Sequence, residues 1–232
     1  MISEPISAWE LANAVSGFAV IFAGGLALLL SLLMGHQPTR WLAVYAAVVL
    51  TGVPTVWFHG FGEQFIPRVA DIGTNLLLGW LLQVAALWDY AERTHPRVQW
   101  AWAIISGLIN FIGISWIYLA GENSGRSIFI FGTFGGFSVG ETLLILDSLL
   151  ATGLLFAKHA QIPPRARPLL YLQTAIFLAG ALLASGSNSQ VLYRIVAFHA
   201  LWHLTAAFGF VALWAFNHQR FVASAPPAVL ST

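Results

Sequence analysis

Apolar residues in this chain run on for twenty or so positions at a time, with short polar breaks between the runs. Seven stretches have this character, at approximately 11–34, 41–58, 70–88, 98–119, 135–157, 168–186 and 191–216. Each is close to the roughly 20 residues a helix needs to cross a bilayer core. A helix apolar on all sides is one that hydrocarbon surrounds. The fifth stretch belongs to a longer apolar run, 127–157, which would overshoot a core of about 30 Å at 1.5 Å per residue. Its opening, "FGTFGGFSVG", is glycine-rich and is expected to form a loop or re-entrant segment, with the helix starting near 135. No internal repeat stands out. The pattern predicts an all-α integral membrane bundle of seven helices, a single domain over 1–221. The residues after Phe221, "VASAPPAVLST", are expected to be a disordered tail over 222–232.

Composition agrees with this pattern. Of 232 residues, 58% are hydrophobic and 8% charged, and mean hydropathy is +0.78. A soluble domain carries about a quarter charged residues. The net charge of +1 leaves no basic stripe for nucleic acid. With no cysteine, a metal site must draw on histidine, carboxylates or other oxygen ligands. The opening "MISEPISAWE" lacks the basic region and cleavage site of a signal peptide. One lysine against nine arginines is a bias of GC-rich bacterial coding, so a multi-pass protein of a bacterial inner membrane is expected.

Loop charges predict orientation. Arg40, Arg93, Arg97, Lys158, Arg165, Arg167 and Arg220 fall in loops 1–2, 3–4, 5–6 and the C-terminal tail, against Arg68, Arg126 and Arg194 on the other side. The positive-inside rule then sets the C-terminus in the cytoplasm and the N-terminus outside. Trp41, Trp88, Trp100, Trp102, Trp116 and Trp214 lie near span ends, as an aromatic belt requires, with core tryptophans the alternative for some of them.

This orientation sorts the seven histidines by depth. His36, His95, His159 and His218 fall at cytoplasmic span ends, where water is close. His59 closes the second span near the outer surface, and His199 and His203 lie about two and three turns into the seventh. Asp71, opening the third span, reaches the same outer layer. His199 and His203, at i and i+4, share one helical face. Three imidazoles from His59, His199 and His203 would make a three-histidine metal site with a fourth position left for water, a hydrolytic arrangement. The alternative at this stage is histidines that simply hydrogen-bond across helices.

Three stretches together resemble the alkaline ceramidase family, within the wider group of seven-span membrane hydrolases that also contains the adiponectin and progestin receptor proteins. They are "TVWFHG" (55–60), "FHALWHLTAAFG" (198–209) and "AWELANAVSGF" (8–18), the last presenting Glu10, Asn13 and Ser16 at three-residue steps. The resemblance implies a zinc ion on His59, His199 and His203, and hydrolysis of the N-acyl amide of ceramide or a related N-acyl lipid. It gives Asp71 the acidic role of orienting or deprotonating water, and Thr55 a place near the developing oxyanion where the family usually has Ser. The gap from His59 to Asp71 is about a residue longer than the family's. The family's acidic calcium-binding N-terminal segment is shorter here, leaving Glu10 and Glu4 as candidate calcium ligands.

Glu141 and Asp147 lie within the fifth span and need partners there. Glu141 has three readings: an acceptor behind a metal-bound histidine, a partner for Arg194, or a protonated acid hydrogen-bonding between helices. Asn75 and Asn110 are expected to cap or bridge helices. Two further functions compete with the amidase. One is a zinc- and lipid-binding receptor or sensor of the same group. The other is a proton or ion pathway through His59, Asp71, Glu141 and Asp147, which requires titratable groups spread across the membrane thickness.

Overall fold

A computed structural model describes residues 7–61, 65–89, 95–121, 123, 126–130, 135–189 and 197–224. Glu4, Arg93, Arg194 and the tail from 225 onward lie outside the described residues. Among the described residues, seven helices are long and apolar enough to cross a membrane. They are α1 (Ala8–Met34), α2 (Thr39–Gly60), α3 (Phe65–Trp88), α4 (Pro96–Ala120), α5 (Val139–Ala157), α6 (Arg167–Ser187) and α7 (Phe198–Ser224). The protein is an all-α, seven-helix bundle.

Local chemistry sets several helix ends. The Ser7 side chain accepts from the backbone N–H of Glu10 to open α1, and Gly35, at φ 67°, closes it with a bond to the Ser31 carbonyl. The overlong fifth run is cut at Ser138, whose hydroxyl accepts from the Glu141 N–H while Glu141 accepts from the Ser138 N–H. That reciprocal box starts α5 at Val139, four residues later than expected. Ahead of it, β1 (Phe129–Ile130) pairs antiparallel with β2 (Gly136–Phe137), so part of the glycine-rich segment is a small hairpin.

Helix α1 packs on α2 and α7, α6 on α7, α2 on α3, and α3 on both α4 and α5. α4 sits outside, with most of its surface exposed. α5 and α6 share little contact, which leaves a thin seam between them. Two glycines bring α1 and α2 together. A Cβ on Gly24 would stand 2.7 Å from the Val49 nitrogen, and one on Gly52 would stand 3.0 Å from the Ile21 nitrogen. Small residues that admit a neighbouring backbone are the usual means of tight helix packing in lipid.

The end of the bundle away from His59 is tied by Asp89, just past α3. Its carboxylate accepts from Arg40 Nε at 2.7 Å and Trp41 Nε1 at 3.2 Å, and it pairs with Arg220 at 2.5 Å. Three expectations are corrected here. Arg220 is not in a polar tail but buried within α7, its guanidinium 4.9 Å from the Phe216 ring centre and 5.1 Å from that of Trp41. Trp41 is fully buried and so cannot belong to an aromatic belt. α7 continues to Ser224 instead of ending near 216, because Asp89 and Tyr45 supply partners for Arg220 and Asn217.

Mid-bundle, the Asp147 carboxylate of α5 accepts from Gln83 of α3 at 2.6 Å and Asn110 of α4 at 2.9 Å. Asn110 thus bridges helices, as expected of it.

Gly52→Val is expected to lower unfolding stability in detergent by about 1–3 kcal/mol through overpacking against Ile21. An equal change at Gly25, which faces open space, is expected to cost far less; thermal unfolding of the two variants side by side checks this.

Candidate metal centre

The last turn of α2 delivers His59, and the first turns of α7 deliver His199 and His203. One nitrogen from each of the three rings lies within 4.8 Å of the others. His59 Nε2 and His199 Nε2 are 3.1 Å apart. Ring centroids stand 4.8 Å (His59–His199), 4.6 Å (His199–His203) and 5.6 Å (His59–His203) apart. His59 and His203 are buried and His199 is half-buried.

Hydrogen bonds on the far sides of two rings decide their tautomers. His59 Nδ1 is 2.5 Å from Glu10 Oε2. An ionised carboxylate only accepts, so the proton belongs on Nδ1 and the lone pair on Nε2. His203 Nδ1 meets the Ser16 hydroxyl at 2.8 Å and the Asn13 carbonyl at 3.2 Å. Ser16 already donates its hydrogen to the Asn13 carbonyl at 2.9 Å, so both oxygens accept from His203 Nδ1–H. His203 Nε2 therefore also carries a lone pair.

A tetrahedral ion with bonds of 2.0–2.1 Å needs its nitrogens about 3.3 Å apart. The His59–His199 pair is near that spacing, and the trio as a whole is within small side-chain adjustments of it. Neutral imidazoles backed by a carboxylate and a carbonyl are the donor set that ligates Zn, Cu, Fe or Ni. The residues fit a metal ion.

Asp71 lies in the second turn of α3 and accepts from the Thr55 hydroxyl, which is one turn before His59 on α2. The Thr55 hydroxyl also reaches the Thr51 carbonyl at 3.0 Å. Its hydrogen is therefore committed within the protein, to Asp71 and the Thr51 carbonyl. Asp71 Oδ1 takes this bond, which leaves Oδ2 for the cavity.

A cavity of about 420 Å³ joins these groups. Glu10, Thr55, His59, Asp71, His199 and His203 line one end, and Val20, Leu78, Leu82, Phe177 and Phe210 line the deeper part. The wall is built from heptad-like stripes such as His199, His203, Ala206, Phe210 on α7 and Arg68, Asp71, Asn75, Leu78, Leu82 on α3. Each stripe is polar toward the histidines and apolar below.

Not every expected residue joins the trio. Glu141 lines the cavity but touches none of the imidazoles. Its carboxylate accepts from the Ser138 N–H at 2.7 Å and from Asn188 of α6 at 2.8 and 2.9 Å. The acceptor behind His59 is Glu10, on the first helix. Among the described residues, the histidine trio is the one grouping of three or more His, Asp and Glu able to share an ion; Glu10 is engaged by His59, and Glu4 lies outside the described residues. Ser16 and the Asn13 carbonyl were not anticipated as partners of His203. The signal for them was the three-residue stepping of Glu10, Asn13 and Ser16 on one face of α1. Compared with models of known protein families and with curated protein sequences, the chain matches none.

Protein purified in detergent is expected to hold about one transition-metal ion per chain by elemental analysis. His203→Ala removes it, and Glu10→Gln weakens metal affinity by about 10–100-fold. Full metal content in His203→Ala excludes the trio as the site.

Proposed function

We propose that this protein is a zinc-dependent intramembrane amidase that hydrolyses the N-acyl bond of ceramide or a related N-acyl lipid, releasing a fatty acid and an amine. The observation that carries this reading is the union of a histidine trio, two of its rings oriented by partners on α1, with a cavity that turns apolar below it. Zinc held by His59, His199 and His203 with a fourth position open would supply a water whose pKa is lowered toward 7.

The remaining work falls to the chain. Glu10 and the Ser16–Asn13 pair hold their imidazoles in one orientation, with Nδ1 engaged and Nε2 turned to the cavity. Asp71, held by Thr55 through Oδ1, has Oδ2 free to take a proton from the attacking water and return it to the leaving nitrogen. The water oxygen ends on the acyl carbon, the C–N bond breaks, and the neutral amine departs carrying the proton that Asp71 returned, leaving the carboxylic acid. Leu78, Leu82, Phe177 and Phe210 line the space for an acyl chain. The thin α5–α6 seam, both of whose helices line the cavity, favours a lipid arriving sideways from the bilayer. With the N-terminus outside, as loop charge implies, that lipid comes from the outer leaflet. An inner-membrane bacterial location fits the same reading.

The ion-pathway alternative gains no support from Asp147. Its carboxylate is engaged by two side-chain amides, which do not carry protons, and it does not line the cavity.

Zinc-loaded protein in nanodiscs is expected to release fatty acid from at least one N-acyl lipid in a panel that includes ceramides. Asp71→Asn slows release by about 10²–10⁴-fold with metal content unchanged. If the wild type releases none from any of the panel, a lipid-binding sensor replaces the enzyme.

A further inference from the structure

Each described carboxylate on the cavity wall has a protein partner: Glu10 with His59, Asp71 with Thr55, and Glu141 with Ser138 and Asn188. Arg68 lines the same wall, half-buried in the first turn of α3. Among the described residues its guanidinium has no hydrogen bond or ion pair. Helix stability does not explain the residue, since a cation in a first turn sits at the unfavourable end of the helix dipole. A half-buried guanidinium on a cavity wall, without a protein partner among the described residues, is placed to take an anion.

The α3 stripe gives that anion a position. Arg68, Asp71, Asn75, Leu78 and Leu82 follow one another at three- and four-residue steps and all line the cavity. Arg68 is one turn, about 4.5 Å, on the open side of Asp71, and Leu82 is about 16 Å on the deep side. An N-acyl lipid lying along this face with its amide at Asp71 has its acyl chain beside Leu78 and Leu82. Its headgroup then lies beside Arg68.

We propose that Arg68 binds an oxyanion on the substrate's headgroup, a phosphate, sulfonate or carboxylate, so that the N-acyl lipid taken by this site is an anionic one. The inference rests on the amidase reading and narrows its substrate class. Arginine suits the role because its planar fork meets such groups with two parallel hydrogen bonds.

The test reads binding without turnover. Isothermal titration of the zinc-loaded protein in neutral detergent compares dodecyl phosphate, dodecanol and inorganic phosphate across wild type, Arg68→Gln and Arg68→Lys. Arg68→Gln is expected to weaken dodecyl phosphate about tenfold or more while leaving dodecanol unchanged, and Arg68→Lys to fall between wild type and Arg68→Gln, keeping the charge but losing the fork. No loss in Arg68→Gln overturns the proposal and makes Arg68 an interfacial anchor. An equal loss for dodecanol overturns it as a structural effect. Inorganic phosphate binding as tightly as dodecyl phosphate overturns the headgroup assignment in favour of a free anion. Fatty-acid release separates the two readings. Equal kcat/KM for anionic and neutral N-acyl lipids in wild type and Arg68→Gln sinks the headgroup proposal alone, whereas no release from any lipid sinks the amidase.

Discussion

An imidazole within a helix bundle in hydrocarbon has two ring nitrogens and no bulk water to satisfy either. One nitrogen must find a protein partner before the other can be spared for a ligand, and the partner's chemistry decides which carries the proton. In this protein α1 provides those partners: a carboxylate for His59, and a hydroxyl with a carbonyl for His203. The ligands come from α2 and α7, so the site exists only where three helices meet. The close crossing of α1 and α2 at Gly24 and Gly52, and the packing of α1 on α7, set the distance at which these bonds form.

The same rule organises the rest of the polar interior. Asp147 binds amides from α3 and α4 mid-bundle, and Asp89 gathers two arginines and an indole at the far end. Neither group needs a ligand, because its carboxylate is matched by donors from neighbouring helices. A buried carboxylate that lost those donors would be costly, which makes both clusters strong determinants of which helices adjoin. The histidine layer differs in kind: it brings one nitrogen from each of three rings together, a grouping able to hold a cation.

The bundle is also uneven. α1, α2, α3 and α7 pack closely and hold the histidines and Asp71 in place, whereas α5 and α6 barely meet. Near the histidines the two are linked through Asn188 and the Glu141 cap. For the proposed amidase, a closely packed wall at the histidines and a sparsely packed one between α5 and α6 would let a lipid reach a buried site.

The seven spans, the approximate limits of most of them and the layer shared by His59, His199, His203 and Asp71 were legible in the linear chain; the end of the seventh was not. Span length is imposed by bilayer thickness, and depth along a helix is simply residue count times rise. Rotation about each helix axis was not legible, since a chain apolar on nearly every side carries little facial signal. Tertiary packing alone decided that Glu10 rather than Glu141 backs a histidine. It likewise decided that Thr55 turns to Asp71, that Arg220 and Trp41 are buried around Asp89, and that Arg68 lines the cavity. Those outcomes depend on which faces of distant helices touch. In a membrane that choice is made by small residues and polar pairs scattered along the sequence, not by any local pattern.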